Sequence, residues 1–257
     1  MQYVDVLNNA RKIIKDKCRV CRECNGIACR GEIPGVGGKG TGSSFIRNRD
    51  KINEVKLHLN TIVQKENIDT SIELFGHSFK YPVFVAPIGA VGVNYSEELN
   101  DFTYSQAIVT GSKNAGTLAF TGDGAKDIFY DEPLEVIKEE DGVGIPTIKP
   151  WENQEIIKKI RKAEKAGALA VAVDIDAAGL IILAMMGKPV STKSIEDLKE
   201  ITSSTKLPVI FKGIMTVDGA KRALEAGAYG IVVSNHGGRV LDHTLASIEV
   251  LPEIAQE

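Results

Sequence analysis

From Pro82 onward the chain alternates short apolar runs with longer stretches of helical period. The runs are Val83 to Gly89, Gly116 to Thr121, Gly144 to Lys149, Ala168 to Asp174, Leu207 to Phe211 and Gly230 to Val233. Each is too short for a helix and is bounded by glycine, proline or polar residues, the signature of a strand buried on both faces. Between them Glu152 to Ala166 carries Ile156, Ile157, Ile160 and Ala163 on one stripe, and Ala220, Ala223, Leu224 and Ala226 repeat at near-helical spacing before Gly227. Before Pro82, Tyr3 to Lys17 reads as a short helix with Val4, Val6, Leu7, Ile13 and Ile14 among basic residues. Strands alternating with helices predict a parallel α/β sheet of the barrel type, with six strands in this chain.

In parallel α/β folds the chemistry sits at the C-terminal ends of the strands. Here those ends carry Lys149, Asp174 and Asp176, Lys212-Gly213, and Ser234-Asn235-His236-Gly237-Gly238-Arg239. Two glycines after His236 let the backbone turn tightly against a ligand. Histidine moves a proton near neutral pH, arginine offers a planar fork to a carboxylate, and a lysine steadies a developing negative charge. Polar residues are also common after strands, so spacing alone leaves His236 and Arg239 open to a plain loop-closing role. Asp174 and Asp176 could bind a ligand or pair with Lys149, but capping the next helix is their ordinary use and the expectation. His58, His77 and His243 show no partner pattern and are expected to be surface or structural residues. Trp151 follows a strand end, over the pocket or over a helix.

The run SNHGGR, with Lys-Gly ending the preceding strand, resembles the signature of the FMN-dependent α-hydroxy acid oxidases and dehydrogenases, such as glycolate and lactate oxidase and the flavin-linked lactate and mandelate dehydrogenases. The likeness can be followed from about Ile33 to the end. It implies a (β/α)8 barrel binding FMN, with His236 as active-site base, Arg239 on the substrate carboxylate and Lys212 beside the flavin N1–C2 carbonyl edge. Val83 to Gly89 resembles the family's first barrel strand, whose backbone after the alanine faces flavin N5 and O4. Ala86, Pro87, Ile88, Gly89, Thr121, Lys149, Asp174, Lys212 and Ser234 are thus the cofactor-binding candidates. Asn48-Arg49 resembles an Asn-Arg pair leading into the barrel. The departures are specific. No tyrosine stands between Pro34 and Gly38, where the family often supplies one to the substrate. Thr147 and Lys149 replace the third strand's glutamine and tyrosine, and the fourth strand ends in Asp174-Ile-Asp-Ala-Ala-Gly rather than in threonines. The DGG-like and GRP-like turns that hold the FMN phosphate are absent, so the barrel is expected to be incomplete at its C-terminal side: a fragment, or a barrel completed by a partner.

The 257 residues suit one barrel domain from 43 to 257 behind an N-terminal segment, 1–42. A net charge of −3 argues against a nucleic-acid surface, and no apolar run approaches the roughly 18 residues of a membrane span. The polar start is unlike a signal peptide, so a cytoplasmic location is expected. Cys18, Cys21, Cys24 and Cys29 form a C-x2-C-x2-C-x4-C run in which four thiolates could wrap Zn²⁺ or an iron–sulfur cluster; reduced structural thiols are the alternative. Gly31 to Gly42 holds six glycines, a loop whose N–H groups could cradle a phosphate.

The expected function is oxidation of a small L-2-hydroxy acid, lactate- or glycolate-like, to the 2-oxo acid, by a homo-oligomer passing electrons to an unspecified acceptor. The alternatives are another FMN barrel enzyme resembling type 2 isopentenyl diphosphate isomerase, or a non-catalytic barrel with a metal-binding cysteine cluster. The His236–Arg239 pair favours the first.

Overall fold

A computed structural model describes residues 2–32, 36–64, 67–188 and 190–257. The N-terminal helix α1 (Tyr3–Ile14) opens where the Gln2 backbone N–H donates to the Asp5 carboxylate, 2.9 Å, and runs into a 3-10 turn over Lys15–Lys17. It turns only Leu7, Ala10, Ile13 and Ile14 inward, leaving Val4 and Val6 exposed. Helix α2 (Ser43–Glu54) follows the glycine-rich loop. An antiparallel hairpin, β1 (Ile72–Leu74) with β2 (His77–Phe79), was not foreseen in the pattern. Its two turn residues, Phe75 and Gly76, both have positive φ, the geometry that matches strand twist in a two-residue hairpin.

The main sheet has five parallel strands among the described residues: β3 (Phe120–Thr121), β4 (Ile145–Ile148), β5 (Val171–Asp174), β6 (Val209–Ile214) and β7 (Gly230–Val233), side by side in chain order. Helices α3 (Val91–Asn94) and α4 (Asp101–Ala115) precede β3. Between strands lie α5 (Ile128–Glu139), α6 (Asn153–Ala166), α7 (Ile181–Met185) with α8 (Ile195–Ser203), and α9 (Val217–Glu225), and α10 (Ser247–Gln256) follows β7. The expected first strand shrinks to one bridge, Val85 to Ala119. Its ladder carries Val85 N–H to Leu118 and Phe120 N–H to Val85, because Pro82 and Pro87 flank it and cannot donate. Strand β6 runs further than expected: Lys212 and Gly213 lie within it, and a register shift between Lys212 and Ile214 absorbs the irregularity.

Alternation sorts the strands into two cores. Leu118, Ile145, Ala170, Ala172 and Ile210 point to one face with Phe79 beneath them. Ala119, Ile148, Val171, Val173, Val209 and Phe211 point to the other, packed on Ile156, Ile160 and Ala163 of α6. Continued toward the C-terminal ends, the first set is succeeded by Thr147, Lys149, Asp174, Lys212 and Ser234. Leu224, assigned to the apolar face of α9, is exposed; Ala223 and Ala226 alone bury there.

Candidate active site

Parallel pairing sets Asp174 directly beside Lys212, and side chains on one sheet face at paired positions are neighbours. Asp174 is buried and takes two ammonium groups, Lys212 Nζ on Oδ1 at 2.7 Å and Lys149 Nζ on Oδ2 at 2.6 Å. Burial raises the cost of its charge, yet Lys149, His236 and Lys212 outweigh it and hold this carboxyl well below the usual range. Pairing thus replaces the expected cap: Asp174 makes no side-chain bond to the 3-10 turn that follows it, Ile175–Gly179. His236 Nδ1 lies 2.9 Å from Asp176 Oδ1 and 3.4 Å from Lys212 Nζ. Since a carboxylate only accepts, the Nδ1 proton points to Asp176 and the Nε2 lone pair is left for a ligand. Burial pushes the Asp176 carboxyl up, against the hydrogen bond from His236 and the charge of Lys212.

The loop that presents the histidine is strained into place. His236, Gly237 and Gly238 have φ of 56°, 62° and 73°, three successive left-handed residues, of which only the glycines adopt that form at no steric cost. A Cβ at Gly237 would meet the Arg239 guanidinium, and one at Gly238 would meet the Phe45 backbone. Asn235 anchors the loop: it exchanges two hydrogen bonds with Asn48, 2.8 and 3.0 Å, and donates to the Leu245 carbonyl. Arg239 lies against the N-terminal segment, 4.9 Å over the Phe45 ring and donating to the Val36 carbonyl at 3.0 Å.

Of the expected cofactor residues, Ala86, Pro87, Lys212 and Ser234 line one cavity of about 550 Å³ that runs down the apolar face past Phe84, Phe120 and Ile210 to Leu74 and Tyr229. Ser234 also accepts the His236 N–H. The buried hydroxyl of Thr147, on the sheet face of Lys149 and Asp174, has no partner, and neither does Asp176 Oδ2 beside His236. Unpaired polar atoms at these strand ends are what a polar ring such as a flavin would satisfy, so the residues present fit the ring end of that group. The Thr121 hydroxyl is unpaired too, but alternation sets it with Ala119 on the helix-side face, outside the lining of this cavity. Ile88 and Gly89 lie outside the lining of this cavity, and Gly89 abuts the Asp123 backbone too closely for a side chain.

One expectation is corrected, and the alternatives for Trp151 are resolved. The glycine-rich loop, apart from residues 33–35, which lie outside the described residues, cradles no free anion: Thr41 and Ser43 give their N–H and hydroxyl groups to the Asp242 carboxylate. Burial pushes that carboxyl up, but these bonds win and hold it far below its usual range. Trp151 faces the helix-side core, donating to Asp123 at 2.7 Å. The four cysteines are free thiols, and among the described residues no three of their sulfurs lie within 4.8 Å of one another. His58, His77 and His243 are exposed, as expected.

Sequence reasoning missed the buried Asp123–Lys159 pair, 3.1 Å, which holds the β4 end through the Lys149 N–H and Trp151. It also missed Asn48 to Asn235 and Phe45 under Arg239. The signal for Asp123 was a carboxylate just beyond a strand end; Lys159, on the stripe side of α6, gave none.

The FMN-dependent dehydrogenase family matches residues 36–182 and 181–257. The 4-hydroxymandelate oxidase of Amycolatopsis orientalis is 26% identical over 260 residues, covering 88% of this chain and 72% of that protein. The 2-hydroxyacid oxidase of Dictyostelium discoideum is 27% identical, covering 83% of this chain and 61% of its own. A crystal structure of a mandelate oxidase variant with 2-hydroxy-phenylacetamide superposes with a TM-score of 0.75 at 26% identity, over 98% of this chain and 73% of that one. This chain therefore spans between three fifths and three quarters of these relatives' length. With its family model matched over most of its length and the fold shared with these relatives, the chain belongs to the FMN-dependent dehydrogenase family.

Proposed function

We propose that this chain serves the FMN-dependent oxidation of a small 2-hydroxy acid to its 2-oxo acid. The observation that carries the reading is His236 Nδ1 held at 2.9 Å by Asp176, beside Lys212 at the end of the neighbouring strand. When bound, FMN supplies the two-electron acceptor for the carbon–hydrogen bond at C2. The chain's own part is positional and protonic. Arg239 receives the substrate carboxylate on its fork and fixes C2. His236 takes the proton released from the substrate at Nε2, and Asp176 steadies the imidazolium that results. Lys212 and Ser234, with the Ala86–Pro87 turn, would hold the ring of FMN, and Lys212 would place a fixed positive charge beside it. Lys149 and Lys212 share Asp174, so the lysine stays fixed without an ion from solvent.

Anaerobic mixing of the FMN-loaded protein with a panel of acids tests this. Lactate, glycolate or a longer 2-hydroxy acid should bleach the flavin, whereas the methyl ester of the same acid should not, since it gives Arg239 no carboxylate. Bound FMN that no 2-hydroxy acid bleaches would refute the reading.

A further inference from the structure

One buried ion pair takes no part in the chemistry proposed for this chain. Asp123 follows the end of β3 and Lys159 sits on α6; their side chains are 0% and 3% exposed and meet at 3.1 Å. A buried pair gives little net stability over apolar residues of similar volume, so stability alone does not account for it. Its other bonds point elsewhere. Oδ1, which holds Lys159, also accepts the Gly124 N–H at 2.8 Å. Oδ2 accepts the Lys149 N–H at 3.0 Å and the Trp151 indole N–H at 2.7 Å, so one side of this carboxylate serves the stretch around Lys149.

The Lys149 N–H has no strand left to meet. Ile145 N–H donates to the Ala119 carbonyl, and steps of two carry this ladder to residue 147 with 121 and then 149 with 123. Strand β3 has ended by then, and the Asp123 carboxylate stands where the next strand carbonyl would. The side chain of Lys149 reaches the opposite neighbour, β5, with its ammonium on Asp174 Oδ2 at 2.6 Å, while Lys212 holds Oδ1 at 2.7 Å. Alternating charges therefore cross the mouth, Lys159, Asp123, Lys149, Asp174 and Lys212, and reach His236 3.4 Å beyond. Asp123 enters that row through the Lys149 backbone, not through its ammonium.

We propose that Asp123 is a positioning residue for this row: by fixing the end of β4 it keeps the Lys149 ammonium on Asp174, so that Lys212 is only partly neutralised and keeps its charge for bound FMN. The role rests on FMN binding as proposed for this chain. One carboxylate shared by two ammonium groups leaves a net positive charge at that end of the cavity, whereas Lys212 alone on Asp174 leaves none. A fixed positive charge there favours the reduced, more negative form of the ring.

Two measurements test this, and neither needs a 2-hydroxy acid. Asp123→Ala combined with Lys159→Met removes the carboxylate without leaving a buried ammonium unpaired. In FMN-free protein, acetylation of Lys149 followed by mass spectrometry should then run about ten-fold faster than in wild type, because the strand end opens locally, while Lys212 stays protected. In the loaded protein the preference for reduced over oxidised FMN should fall by about ten-fold, which is about 30 mV in midpoint potential for two electrons. Since the double variant can fail to fold, Lys149→Met supplies the second arm, and the same fall in FMN preference is expected there. Bound FMN that no 2-hydroxy acid bleaches would refute the functional reading and leave both measurements able to judge Asp123. Unchanged acetylation of Lys149, equal acceleration at Lys149 and Lys212 in folded protein, or an unchanged FMN preference in Lys149→Met would each overturn the positioning role.

Discussion

The mouth of this barrel has two walls, and the chain builds them by different means. On one, Lys149, Asp174 and Lys212 stand at the ends of adjacent strands, Asp174 and Lys212 buried and Lys149 partly so, their spacing set by parallel pairing. On the other, Arg239 is held by the Phe45 ring and the Val36 carbonyl, which reach it from some two hundred residues away through a loop and a helix. The first wall is rigid and charge-compensated. The second is assembled from hydrogen bonds and one stacked ring, and its members are more exposed. Groups that must keep a fixed charge near the cofactor sit on the sheet, and the group that must admit and release a substrate sits on loops.

The largest expected effect breaks the first wall. Asp174→Ala leaves two ammonium groups facing each other without their shared counter-ion, and loss of one partner from a buried pair costs about 3–5 kcal/mol. Urea unfolding should show that loss, and a change below about 1 kcal/mol would mean the two lysines find other partners. Next, Asp176→Asn keeps the shape but no longer holds the Nδ1 proton of His236, since an amide can present its NH2 there. Anaerobic flavin reduction should slow by about 10- to 100-fold, less than the loss of the base itself. Equal rates would show that Asp176 only fills space.

The second wall should respond differently. Phe45→Leu removes the ring beneath Arg239, an interaction of about 0.5–2 kcal/mol, so the substrate KM should rise several-fold while kcat changes little. A fall in kcat at constant KM would move Phe45 from holding the arginine to holding the reacting groups. The smallest effect lies outside both walls. Burial raises the Asp101 carboxyl to about 6 even though it accepts the Ala90 and Val91 N–H groups. The folded chain then binds a proton that the unfolded chain releases near pH 4, so this group's contribution is greatest below pH 4 and is lost as pH rises through 6. The urea midpoint of Asp101→Asn relative to wild type should improve across that interval and level off above it; a flat difference would contradict the shift.

Much of the first wall was legible in the sequence, because period-two alternation and strand ends are local properties. Lys212, Asp174 and Lys149 could be placed at strand ends from spacing, and pairing of Asp174 with Lys149 stood there as one alternative, but the register that sets Asp174 beside Lys212 is a tertiary fact and could not be read. The second wall was mostly illegible. Nothing near Phe45 or Asn48 announces a partner at 239 or 235, and the glycine loop read as an anion cradle because its anion, Asp242, lies far along the chain. The first barrel strand was legible as a run and misjudged as a ladder, since its prolines remove donors that hydropathy does not register.

The central claim is that His236 is the base at this mouth. The direct measurement is the rate of anaerobic flavin reduction by a 2-hydroxy acid in His236→Ala, with FMN binding measured in the same samples. Bound FMN with reduction slowed by at least about 100-fold is the predicted result. Reduction as fast with alanine as with histidine would contradict the account.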